Sequence, residues 1–143
     1  MQPQLADIII EELRSLGSPA NVAGMARFGI ATESALGVSI PVLRAIAKRL
    51  GKDHALAQAL WDSGVHEARH LAPMIEDIKL VTDEQVERWV LDLNSWDICD
   101  GFCASLVNRT PFVWEKAVAW SSRPEEYVKR AGFVLMAQRA VHD

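Results

Sequence analysis

Apolar residues recur at intervals of three and four along most of the chain, which is the spacing of helices that bury one face. No segment sustains the two-residue alternation of a half-buried strand. The pattern therefore predicts an all-α protein. Together with breaks at Gly, Pro and Ser, it places helices over residues 4–16, 20–28, 39–50, 53–62, 65–77, 83–92, 95–108, 111–120 and 125–142.

Short helices with brief connections are typical of a stack of antiparallel helical repeats. A compact helical bundle is the alternative, because no repeat period is visible by residue identity. The length of 143 residues fits a single domain, 1–143. The sequence stops on the helix-forming residues Met136 to Val141 without a polar cap. This leaves open that the stack is truncated at its C-terminal end.

The composition excludes several classes of protein. Half of the residues are hydrophobic and 24% are charged, so intrinsic disorder is not the main state. The apolar runs are shorter than the roughly 20 residues of a membrane span, and the N-terminal stretch lacks a secretory signal. Cys99 and Cys103 have neither redox nor zinc-knuckle spacing. We expect both to be reduced packing residues in a cytoplasmic protein with no membrane partner.

The net charge of −4 counts against a nucleic-acid binder, which is usually basic. The distribution of charge weakens that argument. Residues 53–100 hold 11 acidic and 3 basic groups, whereas residues 1–52 and 101–143 each hold six basic and four acidic groups. A basic face made from the outer thirds stays open. Arg44 and Lys48, on one predicted helix face, could follow a phosphate backbone, and a solvated face is the alternative.

The segment from His66 to His70 matches the H-E-x-x-H pattern of zinc metalloproteases. The two histidines could share a zinc ion, with Glu67 as the general base. A third ligand would have to come from Glu84 or Glu87. We favour a structural interpretation, in which Glu67 interacts with a helix dipole and the other polar groups lie on a solvated face.

A second candidate site lies at the start of the helix predicted over 95–108. Trp96 and Asp100 are four residues apart and fall together on the flank of an apolar arc. Asp97 points away from that arc and follows Asn94 by three residues, as the acid of a capping box would. An indole beside a carboxylate suits a cationic or electron-poor ligand. The alternative is a packed Trp and a solvated Asp.

The last predicted helix is apolar on nearly every side, with Arg130 at the margin of its main apolar arc. A guanidinium in that position needs a carboxylate or a phosphate as partner. Gly132 lies in the helix interior, where it predicts a close contact with a neighbouring helix. We expect four of the five tryptophans to lie in the core.

Several segments together resemble the AlkD-type DNA alkylation repair family, in the right order over residues 20–143. The matching segments are Gly24-Met-Ala-Arg-Phe-Gly-Ile30, Leu36-Gly-Val-Ser-Ile-Pro-Val-Leu-Arg-Ala-Ile-Ala-Lys48, Leu60-Trp61, His66-Glu-Ala-Arg69, Ser95-Trp-Asp-Ile-Cys-Asp100, Trp114-Glu-Lys116 and Lys129-Arg-Ala-Gly-Phe133. The resemblance implies an alpha-alpha superhelix of HEAT-like helix pairs. It also implies a glycosylase that removes alkylated purines from duplex DNA without flipping the base out of the helix.

The resemblance places the catalytic residues of the family on Trp96, Asp100 and Arg130. It implies DNA contacts by a further basic set: Arg27, Arg44, Lys48 and Lys129. The implied partner is duplex DNA with alkylated purines, bound by a monomer that needs no metal and no other cofactor. The H-E-x-x-H segment is ordinary in this family.

Three features depart from the family pattern. Ser95 stands where better-known members have a second Trp before the catalytic one. Some members bind DNA without glycosylase activity, and members usually continue for several more helices. Two functions therefore stay under consideration: an alkylpurine DNA glycosylase, and a non-catalytic HEAT-like module that binds DNA or protein.

Overall fold

The computed structural model describes the backbone of residues 2–142, and these residues form nine α-helices and no strand. The all-α prediction is confirmed, with most helix ends within one or two residues of the expected ones. The helices are α1 Gln2–Leu16, α2 Pro19–Arg27, α3 Ile40–Leu50, α4 His54–Asp62, α5 His66–Ile75, α6 Asp83–Leu91, α7 Trp96–Ser105, α8 Val113–Ser121 and α9 Glu126–His142. Within that part of the chain, no helix has the length and apolar character needed to cross a membrane.

Helix α7 ends earlier than the sequence pattern predicts. Leu106 leaves the helical region with φ −120° and ψ −70°, and a separate 3-10 turn follows at Val107–Arg109. A second 3-10 turn, Ile78–Leu80, lies between α5 and α6. The turn Ile78–Leu80 lies in the connection predicted between the helices 65–77 and 83–92, whereas Val107–Arg109 begins inside the helix predicted over 95–108. Apolar periodicity continues into that second turn, so the pattern alone could not separate it from helix.

Side chains at the helix starts fix where several helices begin. Asp53 accepts a hydrogen bond from the backbone N–H of Leu56 at the start of α4, and Thr82 does the same for Gln85 at the start of α6. Each cap satisfies an N–H that has no partner within the helix and contributes about 1 kcal/mol.

The helices gather in two compact units, the first ending at Asp77 and the second beginning at Ile78. In the first unit α4 packs against α1 and α5, and α5 also packs against α3. Leu13, Leu43, Leu60 and Leu71 are fully buried there, as is Trp61.

Helix α5 carries the H-E-x-x-H segment, and its burial contradicts a solvated face. His66, Glu67 and His70 are all buried, with Glu67 only 1% exposed. The Glu67 carboxylate accepts hydrogen bonds from the backbone N–H groups of three successive loop residues, Leu36, Gly37 and Val38, at 2.9, 2.8 and 3.2 Å. Glu67 therefore has a structural role, as expected, but it acts on a distant loop and not on its own helix.

In the second unit α9 packs against α6, α7 and α8. Gly132 of α9 meets the end of α8, where an added Cβ would lie 2.7 Å from Ser121 Cα and 2.8 Å from the Trp120 carbonyl carbon. The close helix contact expected at Gly132 is present. Cys99 and Cys103 are buried free thiols, also as expected.

Fewer tryptophans lie in the core than the four that the sequence predicts. Trp61, Trp89 and Trp120 are fully buried, but Trp114 is 51% exposed and Trp96 is partly exposed. The buried face of α8 is formed by Val113, Lys116, Ala117 and Trp120. Because Trp114 falls outside that face, the prediction was wrong for one tryptophan.

Candidate functional site

Helix α7 begins at a buried serine that organises the first turn. Ser95 is extended, with φ −154° and ψ 146°, and its hydroxyl donates to Oδ1 of Asp97 at 2.6 Å. The sequence pattern predicts that Asp97 pairs with Asn94, but in the structure its partner is Ser95. The Asp97 carboxylate therefore accepts a hydrogen bond from a side chain at the start of its own helix.

One turn later Asp100 meets Arg130 of α9. The guanidinium donates twice, from Nε to Oδ1 and from Nη2 to Oδ2 of Asp100, each at 3.0 Å. This two-pronged geometry is the strong form of an Arg–carboxylate pair. The Arg130 side chain is 41% exposed and that of Asp100 is 37% exposed, so the pair lies at the surface within reach of a ligand.

Trp96 completes the group. The Cζ atom of Arg130 lies 5.9 Å from the centroid of the Trp96 ring, within cation–π range. Trp96 and Asp100 thus share one flank of α7, as the helical wheel predicts. The structure brings the three residues Trp96, Asp100 and Arg130 together, and we call them the surface triad.

The packing of α7 against α9 sets this geometry. The thiols of Cys99 and Cys103 point at the carbonyl oxygens of Tyr127 and Ala131, each at 3.6 Å. Their spacing of four residues on α7 matches a spacing of four on α9, so the helices run side by side in the same direction. With Gly132 turned towards α8, this contact directs Arg130 outward.

The electrostatics of the surface triad favour the charged form of Arg130. Hydrogen bonding to Asp100 raises the pKa of Arg130, against an opposing effect of burial, so its guanidinium stays protonated. A guanidinium has five N–H donors and an ionised carboxylate has about four acceptor positions. The pair uses two of each, which leaves three donors on Arg130 for an anion and two acceptor positions on Asp100 for a water molecule.

The four basic residues expected to contact DNA are all exposed. Arg27, Arg44 and Lys48 belong to the first unit and Lys129 to the second. None of the four forms an ion pair or a side-chain hydrogen bond with a residue that the structure describes. Arg49, beside Lys48, differs because both oxygens of Glu12 accept from its guanidinium. Those four cations are therefore available to phosphate groups.

The metalloprotease alternative fails at its general base. Glu67 is buried, and both of its carboxylate oxygens accept hydrogen bonds from backbone N–H groups. The rings of His66 and His70 meet edge to face, 5.3 Å apart. Glu87, one of the two candidate third ligands, accepts from Lys116 and from the indole N–H of Trp120. The segment contributes to the core of its unit, and its one carboxylate, that of Glu67, is not free to activate water.

The sequence model of a family described as "DNA alkylation repair enzyme" matches residues 9–143. No curated protein sequence matches the chain significantly.

A solved structure has the same fold, with a TM-score of 0.82 at 21% sequence identity. It is described as one of "a new family of proteins related to the HEAT-like repeat DNA glycosylases with affinity for branched DNA structures". The match covers 91% of this chain and 55% of that chain, so this chain spans about half the length of the matched protein. The expected HEAT-like fold is confirmed, and the chain belongs to the DNA alkylation repair enzyme family.

Proposed function

We propose that the protein is a DNA glycosylase that releases cationic alkylated purines from duplex DNA. The observation that carries this proposal is the surface triad, in which an indole, a carboxylate and a guanidinium from two helices meet at an exposed edge. These are the residue types that the reaction needs, and they lie at the positions that the family resemblance assigns to catalysis.

The chemistry begins with a leaving group that is already activated. Alkylation at a ring nitrogen makes the purine cationic, so the bond from C1′ to the base nitrogen breaks with its electron pair going to the base. The sugar then carries an oxocarbenium-like positive charge. A carboxylate preorganised beside that charge stabilises it. Asp100 does this, and its unused acceptor positions orient the water that adds to C1′ and take up the proton that this water releases.

The two other members of the surface triad hold the substrate. The partly exposed Trp96 ring presents its face to the deoxyribose, where cation–π attraction grows as positive charge develops on the sugar. Arg130 fixes Asp100 from one side and has three N–H donors left for the adjacent phosphate. Arg27, Arg44, Lys48 and Lys129 add phosphate contacts, so DNA affinity should fall steeply with salt.

A non-catalytic DNA-binding module is the second candidate, and one observation favours it. Both oxygens of Asp100 accept hydrogen bonds from Arg130, as in an ion pair that only supports the structure. The matched solved structure belongs to proteins with affinity for branched DNA. Under this alternative the surface triad would position a DNA backbone without breaking a glycosidic bond.

A base-release assay on duplex DNA that carries a cationic alkylpurine separates the two. We expect release by the unchanged protein and a loss of about 10²- to 10³-fold in Asp100→Asn, which keeps the side-chain size but removes the charge. Its unfolding free energy should change by less than about 1 kcal/mol, because exposed ion pairs contribute little.

Asp97→Asn is the matched control for that experiment. Asp97 lies on the same helix, but its carboxylate is bonded to Ser95. The substitution should leave base release nearly intact and cost at most about 1 kcal/mol of stability. Equal slowing by both variants would contradict the assignment to Asp100, and DNA binding without any base release would favour the non-catalytic module.

A further inference from the structure

Two stretches of the chain that lead away from the surface triad, one after Asp100 and one after Glu126, contain no acidic residue. No Asp or Glu occurs in residues 101–114 or 127–142, although the whole chain is acidic. The Lys and Arg residues in these two stretches are Arg109, Lys129, Arg130 and Arg139. These two stretches are therefore basic within an acidic chain, which is the charge pattern that suits a polyanion.

Arg109 stands at the far end of this pair. It closes the 3-10 turn Val107–Arg109 that follows α7, and its side chain is exposed. With the residues that the structure describes, Arg109 makes no ion pair and no side-chain hydrogen bond. Arg123 of the same unit differs, since Glu125 accepts from its guanidinium at 3.1 and 2.6 Å.

The register of the two helices gives the distance from the surface triad. Asn108, the neighbour of Arg109, donates a hydrogen bond to Gln138 of α9. Gln138 lies eight residues beyond Arg130, a rise of about 12 Å along an α-helix. That length corresponds to roughly three to four base-pair steps of duplex DNA, at about 3.4 Å per step.

We propose that Arg109 is a further phosphate-binding residue, which extends the DNA contact of the surface triad by about 12 Å along the duplex. The inference rests on the proposed DNA-binding function. The Arg109 cation is exposed and has no carboxylate partner among the residues that the structure describes. Residues 101–114 and 127–142, which lead from the surface triad to this end of the two helices, contribute no acid that would repel a phosphate backbone. A sugar–phosphate strand that runs from the surface triad along α9 to the level of Gln138 therefore reaches the turn that carries Arg109.

The test is the salt dependence of binding to an undamaged duplex, measured by fluorescence polarisation over a series of salt concentrations. Each phosphate neutralised by a cation contributes about −0.9 to the slope of log K against log salt. We expect Arg109→Ala to make the slope less steep by about 0.9, and Arg109→Lys to restore it. An Arg109→Ala slope equal to that of the unchanged protein would overturn the inference.

Arg123→Ala is the matched control, because it removes an arginine of the same unit that is already paired with a carboxylate. Its slope should not change, and an equal loss in both variants would mean a general charge effect and overturn the inference. If the unchanged protein does not bind duplex DNA at all, the proposed function fails together with this inference. If binding depends on Arg109 but no base is released, the inference holds and only the catalytic proposal fails.

Discussion

Glu67 shows how one buried carboxylate fixes a loop in the first unit. Its two oxygens accept from the backbone N–H groups of Leu36, Gly37 and Val38. These loop amides would otherwise lack a partner in a buried position, where an unsatisfied polar group costs about 1–3 kcal/mol. Glu67 occupies the position of the general base in the H-E-x-x-H pattern, but its role in this protein is to anchor a loop.

Glu67→Gln should destabilise the protein because an amide nitrogen would replace one accepting oxygen and face a backbone donor. We expect a loss of about 1–3 kcal/mol in the free energy of unfolding, measured by urea denaturation. Glu33→Gln makes the same change at an exposed position of that unit and should stay within about 0.5 kcal/mol. Similar effects of the two substitutions would contradict the anchoring role of Glu67.

The contacts of a site residue could be predicted only where its partner is near in sequence or is implied by the family resemblance. Trp96 and Asp100 are four apart, so helical geometry alone placed them on one flank. The contact of Asp100 with Arg130 spans 30 residues, and the resemblance supplied it. The anchoring of a loop by Glu67 spans 29 to 31 residues, and no local pattern indicates it.

At the scale of the helices, two glycines inside α-helices have opposite roles. Gly132 lets α9 approach the end of α8, where an added Cβ would crowd backbone atoms of Trp120 and Ser121. Gly24 lies within α2, and a Cβ there would meet nothing within 4 Å. Both cost helix propensity relative to Ala, but only Gly132 gains a packing contact in exchange.

Alanine at these two positions should therefore shift stability in opposite directions. We expect Gly132→Ala to lower the free energy of unfolding by about 1–3 kcal/mol, as overpacked contacts do. Gly24→Ala should raise it by about 0.4–1 kcal/mol, because the unfolded chain loses conformational freedom. Thermal unfolding of both variants checks the pair, and stabilisation by Gly132→Ala would show that the two helices are not in close contact.

Helix limits were predictable because caps and periodicity are local. Asp53 and Thr82 are residue types that favour helix starts, and both side chains cap a helix in the structure. The end of α7 was not predictable from the sequence pattern. Apolar residues continue through Leu106 and Val107, but the backbone leaves the α-helical dihedral angles at Leu106. The 3-10 turn that follows packs against α9, a contact distant in sequence that the local pattern does not contain.

On the scale of the whole molecule, the negative net charge does not show which surfaces carry exposed positive charge. The net charge of −4 includes many acids that already have a basic partner within their own unit. Lys116 is buried between Asp83 and Glu87, at 2.9 and 2.8 Å. Burial alone would lower the pKa of Lys116, but hydrogen bonds to Glu87 and Asp83 outweigh it and raise the pKa. The total charge therefore says little about any one surface, which requires the positions of the side chains.

Three ionisable groups of the second unit, two buried and one half-buried, make the folding stability decrease at alkaline pH. Burial, followed by hydrogen bonding with Cys99, raises the pKa of the Cys103 thiol well above its ordinary value. Burial also raises the pKa of Tyr127, and the Lys116 pKa is raised as described above. In each case the folded state keeps a proton that the unfolded state releases at a lower pH, so stability falls as pH rises.

The free energy of unfolding should therefore start to fall above about pH 8.5, where an unfolded thiol ionises, and fall further above about pH 10. Urea denaturation at intervals between pH 7 and 11 measures this curve. Cys103→Ala should remove the part of the decline that begins near pH 8.5 and leave the part above pH 10, because Tyr127 and Lys116 remain. Stability that is constant or rising to pH 10 in the unchanged protein, or an identical curve for Cys103→Ala, would contradict the burial of Cys103 against α9.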